Sequence, residues 1–299
     1  MDHASLTQAL THIQAHLDGD LSLNALATVA GCSPPYFARR FAALMRETPK
    51  HYTSRLRLER AALRLVLLND PIINIALDCG FANHETFSRA FRRRFRVSPS
   101  AFREKRRLPT KPDAKAELPQ RASAATPISL SSTSIRTLQP MSLAFIRHTG
   151  PYVNVPLTLW DTLLDWARRH KVPGPYILLG IAHDAPGITP DDKLRFDAAI
   201  RIPDSWGEFR PARRSRIGHQ HLPGGLFALT TNVGPFTSLP AAYAEIFQRL
   251  RHNRSLAVVG LPCVEFYRVN RVTTDTAIVH TEIAVPVRNA PVRKRRPRL

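Results

Sequence analysis

The sequence has only three cysteines among its 299 residues, Cys32, Cys79 and Cys263. An odd number of isolated cysteines indicates neither a disulfide framework nor a metal site built from thiolates. No stretch approaches the roughly 18 consecutive apolar residues of a membrane-spanning helix. The first residues also lack the basic and apolar regions of a secretory signal. These absences predict a soluble cytoplasmic protein without a membrane partner.

The patterns of common enzyme classes are also missing. The sequence shows no paired nucleophile and base, no metal-ligand spacing and no phosphate-binding loop. His219 and His221 alternate along a predicted strand, but no carboxylate or cysteine nearby completes a metal site. We therefore expect no catalytic residues, no cofactor and no bound metal.

Acidic residues are scarce relative to basic ones. The sequence has 23 Asp and Glu but 43 Lys and Arg, which gives a net charge of +20. Residues 1–108 carry 17 basic against 9 acidic side chains, and the last ten residues add five more basic ones. Such a charge attracts a polyanion, whose counterions are released on binding. The alternative is an arginine-rich coding bias that leaves the basic residues scattered over a solvated surface.

One pattern is present twice between residues 24 and 107. The first copy consists of Leu26, Ala27, Gly31, Phe37, Arg39, Phe41, Pro49 and Tyr52, and the second of Ile75, Ala76, Gly80, Phe87, Arg89, Phe91, Pro99 and Phe102. The offset is 49 residues up to the glycine and 50 after it. A turn absorbs one inserted residue, whereas a helix face does not. The repeat predicts two helix–turn–helix units whose second helices enter successive major grooves of DNA.

Residues 5–107 are predicted to be all-helical. Apolar spacings of three and four put Leu6, Leu10, Ile13 and Leu17 on one face of the first helix. Further helices are predicted at 23–30, from Ser33, and at 53–68, 72–79 and 83–95. Ser33 is expected to cap its helix, with Pro34 at the first position. The predicted buried stripes are Phe37, Phe41 and Leu44, and then Phe87, Phe91 and Phe95.

The outward faces of the two repeated helices carry side chains suited to reading bases. The candidates are Pro35, Tyr36, Arg39 and Arg40 in the first unit and His84, Glu85, Ser88, Arg89 and Arg92 in the second. Arginine donates to guanine and glutamate accepts from cytosine in the major groove. Arg93, Arg94 and Arg96 are better placed to meet phosphates. A surface ion pair is the alternative for any one arginine, but it does not explain two identically built basic faces.

The second copy resembles the signature of the AraC/XylS family of bacterial transcription regulators. The matching stretch is Ile75-Ala76-x3-Gly80-Phe81-x5-Phe87-Ser88-Arg89-x-Phe91-Arg92, closed by Ser98-Pro99-x2-Phe102-Arg103. This resemblance implies two helix–turn–helix subdomains bridged by a long helix, with bases facing Pro35, Arg39, His84, Glu85 and Arg89. It also implies promoter DNA and RNA polymerase as partners. Pro34-Pro35 departs from the polar or aromatic pair often found there, which implies fewer base contacts by the first unit.

Beyond the helical domain, residues 108–131 are rich in Pro, Lys, Ala and Ser and predict a flexible linker. Strands are predicted at 143–148, 177–182, 196–202, 227–231, 264–269 and 278–285, with helices near 154–170 and 238–252. His148-Thr149-Gly150-Pro151-Tyr152 recurs 84 residues later as Asn232-Val233-Gly234-Pro235-Phe236. The region 132–288 is therefore predicted to be an α+β domain of two pseudo-symmetric β-α-β-β halves. Residues 289–299 form a basic tail.

Residues 132–288 resemble, more loosely, the GyrI-like effector-binding domain, so that the whole arrangement is similar to the Rob-type regulators. The matching residues are Gly150-Pro151-Tyr152, Gly180-Ile181, Asp184-x-Pro186-x2-Thr189, Leu194-Arg195-Phe196-Asp197, Gly224-Gly225-x-Phe227-Ala228, Gly234-Pro235, Pro262-x2-Glu265-x-Tyr267 and Ile283-x-Val285-Pro286. The resemblance implies that Glu265 faces a cavity for lipophilic cations.

A small-molecule effector is therefore the second expected partner, in the seam between the halves. The ligand candidates are Tyr152, Trp160, Phe227, Glu265 and Tyr267, since a carboxylate among aromatic rings suits an organic cation. The alternative is that Glu265 pairs with Arg195 or Arg268 and that the rings are plain core. Two other functions stay open here: a GyrI-like hydrolase fused to a DNA-binding module, and a gyrase-interacting protein.

Overall fold

A computed structural model describes residues 1–105, 128–203, 206, 215–253, 255–260, 262–268 and 279–290. The first of these ranges is entirely helical apart from its turns. Its helices are α1 (His3–Ala15), α2 (Leu23–Val29), α3 (Pro34–Met45), α4 (Pro49–Leu67), α5 (Ile72–Asp78), α6 (His84–Phe95) and α7 (Pro99–Lys105). The predicted all-helical domain is confirmed.

The sequence repeat extends to the backbone. Gly31 lies two residues after the end of α2, and Gly80 two residues after the end of α5. Their φ angles are +65° and +80°, a conformation that glycine adopts without a steric penalty. Arg46 and Arg96, which follow α3 and α6, are both left-handed, with φ of 56° and 62°. Corresponding turns of the two units are thus closed by the same residue types in the same conformation.

Side-chain caps fix most of the helix starts. Asn83 accepts a hydrogen bond from the Thr86 amide at 2.8 Å and so begins α6. The prediction that Ser33 caps α3 is wrong, because its hydroxyl makes no such bond although Pro34 does occupy the first position. An N-cap oxygen accepts from the second or third amide of its helix. Pro35 occupies the second position and has no amide hydrogen, so that only the third amide, that of Tyr36, could donate.

The buried stripes of α3 and α6 differ from the prediction at their ends. Phe37, Phe41, Phe87 and Phe91 are fully buried, as predicted. Leu44 is exposed, because the stripe continues at four-residue spacing to Met45, which packs on the core of the first unit. Phe95 is only half-buried, at the open end of the second unit.

Helix α4 connects the two units and belongs to both of their cores. Tyr52 and Leu56 pack with α1, α2 and α3, and one to two turns later Ala61 and Leu65 pack with α5 and α6. The helix has 19 residues and is therefore about 28 Å long. Since both cores are built on one rigid element, the spacing between α3 and α6 is fixed by α4.

The rest of the described chain forms two helices and ten strands. The helices are α8 (Thr158–Arg169) and α9 (Leu239–His252), each preceded by a short 3-10 turn. The strands are β1 (Ser129–Leu130), β2 (Ser134–Leu138), β3 (Met141–Thr149), β4 (Leu178–Ala182), β5 (Arg195–Ile202), β6 (Gly218–Leu222), β7 (Gly225–Gly234), β8 (Leu256–Val258), β9 (Cys263–Tyr267) and β10 (Val279–Asn289).

All the strands pair antiparallel in one sheet, and its order shows the two predicted halves. Strands β3, β5 and β4 are neighbours in that order, as are β7, β10 and β9. The pairing of β4 with β9 joins the halves, with Gly180 opposite Glu265. These two residues are 85 positions apart and hold the same place in their halves, so that they flank the pseudo-twofold axis.

The two faces of the sheet are covered differently. Trp160 and Leu163 of α8 and Ile246 and Leu250 of α9 pack on one face, over β3–β5 and β7–β10 respectively. The apolar side chains of the other face form a cluster to which only strands contribute, from Met141 on β3 to Ala284 on β10. Leu222 and Phe227, from strands far apart in the order, meet in this cluster, which requires the sheet to curl.

The segments predicted to flank the second domain lie mostly outside the described residues. Ser129 and Leu130 fall within the predicted linker but pair with Val233 and Asn232 of β7. The sheet therefore begins before residue 132, while residues 108–127 of the predicted linker and 291–299 of the predicted tail lie outside the described residues. Among the described residues, no helix combines the length and apolarity needed to cross a bilayer.

Gly80 provides a test of the helical domain, with Gly31 as its repeat-matched control. A β-carbon on Gly80 would lie 2.6 Å from the Leu17 carbonyl oxygen and 2.7 Å from Nε of Arg57, whereas a β-carbon on Gly31 would meet nothing within 4 Å. Both Ala substitutions carry a left-handed penalty of about 1 kcal/mol. We expect Gly80→Ala to cost roughly 2 kcal/mol more than Gly31→Ala, because backbone must also move. Urea unfolding followed by helical circular dichroism measures both, and equal losses would contradict the packing described.

Candidate DNA interface and ligand pocket

The predicted base-reading side chains lie on the solvent faces of α3 and α6. Tyr36, Arg39, His84, Glu85 and Arg89 are exposed, as are Pro35 and Arg92, while Arg40 and Ser88 are half-buried. The buried phenylalanines hold the opposite faces against the core. In this class of unit the N-terminal residues of the second helix contact base edges in the major groove. Tyr36, His84 and Glu85 lie in the first turns of α3 and α6, and Arg39 and Arg89 follow in the second turns on the same exposed faces.

Weak contacts along α6 order this surface. Arg89 lies 3.4 Å from Glu85, one turn earlier, and the two side chains are 75% and 85% exposed. The Ser88 hydroxyl lies 3.4 Å from the His84 ring nitrogen. An exposed pair at this spacing contributes only a few tenths of a kcal/mol. Both charged groups are thus available to a partner at little cost.

The arginines at the C-terminal end of α6 are not equivalent. Arg92, Arg93 and Arg96 are exposed and continue the basic face. Arg94 is half-buried and donates to the Glu59 carboxylate of α4 at 3.3 Å. The sequence predicted phosphate contact for Arg94 along with its neighbours. Its side chain instead links the recognition helix to the helix that bridges the units.

The second candidate site lies on the seam between β4 and β9. Glu265 on β9 is 4% exposed and points to the side of the sheet covered by the helices. Its carboxylate accepts a hydrogen bond from the Tyr267 hydroxyl at 2.5 Å and another from the Tyr243 hydroxyl of α9 at 2.9 Å. Among the described residues, no arginine, lysine or histidine is paired with it.

Gly180 makes this arrangement possible. It stands opposite Glu265 on β4, and a β-carbon there would collide with the Tyr267 hydroxyl and approach Phe196 Cζ to 2.5 Å. Because Gly180 has no side chain, the Tyr267 hydroxyl occupies the space beside it and reaches the Glu265 carboxylate. The signal for this was present in the sequence as a glycine inside an apolar strand, which marks a close approach.

Burial dominates the electrostatics of the Glu265 site. It raises the pKa of Glu265 above its ordinary value, and the two tyrosine hydroxyls oppose that shift only in part. Burial, followed by the neighbouring carboxylate, also raises the pKa of Tyr243 and of Tyr267 well above the ordinary tyrosine value. Within the described ranges, the Glu265 carboxylate therefore has no positively charged partner, and hydroxyl dipoles stabilise a carboxylate less than a cation would.

A cluster of aromatic rings packs around Tyr267, whose hydroxyl is bonded to the carboxylate. Trp160 of α8 meets the Tyr267 ring edge-on at a centroid distance of 5.4 Å, and Phe236 meets it from the other half at 5.5 Å. Tyr152 packs on Phe196, which also contacts Trp160. Tyr152 and Phe236 belong to the two equivalent Gly-Pro turns and are partly exposed. They form the boundary between the buried rings and solvent.

The structure brings together four of the five predicted ligand residues: Tyr152, Trp160, Glu265 and Tyr267. Phe227 does not lie with them, because it points into the strand-only cluster on the other face of the sheet. Alternate residues of a strand point to opposite faces of the sheet. Which of these faces the helices cover depends on strand pairing, which cannot be deduced from the sequence. Tyr243 was not predicted as a partner of Glu265, since it lies on a helix 22 residues away.

The two arginines predicted as alternative partners of Glu265 are paired with other carboxylates. Arg195 forms a bidentate pair with Asp184, at 2.7 and 2.9 Å, in the buried interior. Arg268 lies 3.3 Å from Glu282 on the neighbouring strand. The ion-pair alternative for Glu265 is thus not what the structure shows. Within the described residues, no three His, Cys, Asp or Glu side chains group so as to hold a metal ion.

Comparison with known proteins gives two family matches that cover the two domains. The profile of the GyrI-like small molecule binding domain matches residues 131–288, and that of a helix-turn-helix domain matches residues 26–105. The first match covers slightly more than half of the chain.

Three relatives are similar over parts of the chain. Regulatory protein SoxS of Salmonella typhimurium is 36% identical over 106 residues, which are 35% of this chain and 99% of SoxS. The right origin-binding protein of Escherichia coli is 35% identical over 104 residues, 34% of this chain and 36% of that protein. The SPbeta prophage-derived protein YosT of Bacillus subtilis is 25% identical over 155 residues, 52% of this chain and 97% of YosT.

The raised pKa of Glu265 has a consequence for stability that pH measurements can test. A group whose pKa is higher in the folded state adds stability that is full below its unfolded pKa and is lost as pH rises through the folded value. We therefore expect wild type to lose thermal stability relative to Glu265→Gln as the pH rises above the ordinary pKa of a glutamate. Glu282→Gln, which removes a charge from the neighbouring strand, is the control. A difference in melting temperature that does not grow with pH would show that the carboxylate is not penalised by burial.

Proposed function

The chain belongs to the family of GyrI-like small molecule binding domains and carries in front of that domain a DNA-binding domain of the AraC/XylS family; from this premise we propose how its two sites work. It is a DNA-binding transcription regulator with a ligand-binding domain. We propose that the ligand is a lipophilic organic cation and that it binds at Glu265. We further propose that α3 and α6 read the operator through Arg39 and Arg89.

One observation supports the ligand proposal: in the described part of the chain, the buried Glu265 carboxylate has two tyrosine hydroxyls as its only hydrogen-bond partners, and further aromatic rings pack against Tyr267. An organic cation would supply the missing positive charge, and the rings would add cation–π attraction of about 0.5–2 kcal/mol each. An anionic or strongly hydrated ligand would meet a carboxylate and an apolar wall, both unfavourable. The chemistry of the site thus selects a cation with a large apolar surface.

Entry to this site requires the wall to open, since Glu265 is enclosed in the structure. The two Gly-Pro turns lie at the starts of α8 and α9, with Tyr152 and Phe236 between solvent and the rings. We propose that a ligand enters by separating these turns and displaces one tyrosine hydroxyl from Glu265. A ligand changes DNA binding only if it binds two states of the protein with different affinity, and this opening would provide the second state.

Regulation at a promoter also implies contact with RNA polymerase and action in the cytoplasm, where bacterial DNA is accessible. We propose both as parts of the same function. We propose binding rather than turnover for the Glu265 site, and hydrolysis of a bound ester by the full chain, lost in Glu265→Gln, would contradict that choice.

The DNA proposal is tested at Arg89. The operator is first recovered by selection from fragments of the source genome. We expect Arg89→Ala to weaken binding to it by roughly 1–3 kcal/mol and to relax the preference at one base pair, because a bidentate base contact is lost. Gel-shift titration at fixed salt measures both effects. Arg168→Ala, which removes an exposed arginine paired with Asp165 in α8, is the control for charge. Equal weakening on all sequences would assign Arg89 to a phosphate.

The ligand proposal is tested with tetraphenylphosphonium as the probe. We expect calorimetry to detect binding to wild type and at least about a tenfold weaker affinity in Glu265→Gln, the equivalent of ~1.4 kcal/mol. Glu282→Gln makes the same charge change on the adjacent strand and is expected to bind as wild type does. Operator affinity without ligand should be the same in all three proteins. Equal affinity for the probe in Glu265→Gln and wild type would remove Glu265 from the site.

A further inference from the structure

A buried carboxylate lies where the two domains meet. Glu59 of α4 is 5% exposed and faces the second domain. Three donors converge on it from three different parts of the molecule. Arg55, one turn earlier in α4, donates at 3.2 Å; Arg94 of α6 donates at 3.3 Å; and the Thr189 hydroxyl of the second domain donates at 3.1 Å. One side chain thus connects the bridging helix, the second recognition helix and the ligand-binding domain.

The segment that carries Thr189 is attached to the ligand site at its other end. Residues 183–194 connect β4, which contains Gly180, with β5. Asp184 in this segment binds Arg195 through both carboxylate oxygens, and its backbone oxygen accepts a hydrogen bond from the Tyr152 hydroxyl at 2.8 Å. Tyr152 is the ring at the edge of the proposed pocket. Displacement of Tyr152 therefore acts on the same segment that holds Thr189 against Glu59.

Two further contacts fix this segment on the helical domain. Ile188 packs against the apolar core of the second helix–turn–helix unit. Lys193 lies 3.7 Å from Glu47, which in turn forms a 2.7 Å ion pair with Arg55. The contact is thus partly apolar, with the unit that contains α6, and partly ionic, with the turn between α3 and α4.

We infer that Glu59 is a positioning residue for the second recognition helix, and that the ligand-binding domain sets its geometry through the Thr189 hydroxyl. The inference rests on the proposed function in one respect, namely that α6 is the helix proposed to read DNA. Removal of the Thr189 donor leaves a buried carboxylate oxygen with one partner fewer, and Arg94 then has a less ordered acceptor. The last turn of α6 would loosen, although no residue of α6 had been changed.

The decisive experiment measures amide hydrogen exchange in the full chain, without DNA or ligand. Thr189→Val removes the hydroxyl at nearly constant volume, and Thr189→Ser retains it. Thr230→Val is the matched control, because Thr230 is equally buried and its hydroxyl lies 2.9 Å from that of Thr133 within the second domain. We expect Thr189→Val to accelerate exchange in residues 92–95 at least about fivefold, the size expected for one lost buried hydrogen bond. Thr189→Ser should restore the wild-type rate, and Thr230→Val should not change it.

Unchanged exchange at residues 92–95 in Thr189→Val would overturn the inference, and so would an equal acceleration in Thr230→Val. The same proteins are then titrated with the selected operator, where Thr189→Val should weaken binding roughly three- to tenfold and Thr189→Ser should not. Because the exchange measurement involves neither DNA nor ligand, it decides the role of Glu59 by itself. Failure to select any operator would count against the proposed function and would leave that result standing.

Discussion

Helix α4 is the element on which the other features of the structure depend. Its first half belongs to the core of the first helix–turn–helix unit through Tyr52, and its second half to the core of the second through Leu65. Its last residue, Leu67, packs against the apolar cluster beneath α9 of the other domain. A helix shared by three cores cannot bend or slide without disturbing all of them. The spacing of the recognition helices and the seating of the ligand-binding domain are therefore determined together.

The regular parts of this structure were predictable from the sequence, because each has a periodic or repeated pattern. The 49- and 50-residue offsets located both helix–turn–helix units, and the recurrence of Gly150-Pro151 as Gly234-Pro235 located the two halves of the sheet. Strands β1, β2 and β8 were not predicted. Their residues are mostly exposed or half-buried, and a strand without a buried face has no alternating pattern.

The candidate sites were predicted unevenly, for a physical reason. Outward residues of α3 and α6 follow from helical periodicity alone, so the sequence was sufficient to place Arg39 and Arg89. The pocket depends on which strands pair and in which register. Glu265 stood out as a charge on an apolar strand, but Phe227 was assigned to the wrong face and the contribution of Tyr243 was not foreseen. The link through Glu59 could not be predicted from the sequence, because two of its three donors, Arg94 and Thr189, come from distant segments.

The pairing of Gly180 with Glu265 determines how many carboxylates the proposed effector site contains. The two residues are equivalent in the two halves and face each other at the local axis. Had the duplicated halves stayed identical there, the axis would carry either two adjacent negative charges, which repel, or none, which would attract no cation. Because one of the two equivalent positions carries glycine and the other glutamate, the two similar halves together provide a single carboxylate beside the axis. The proposed site at Glu265 therefore predicts one bound molecule per chain, despite two structurally similar halves.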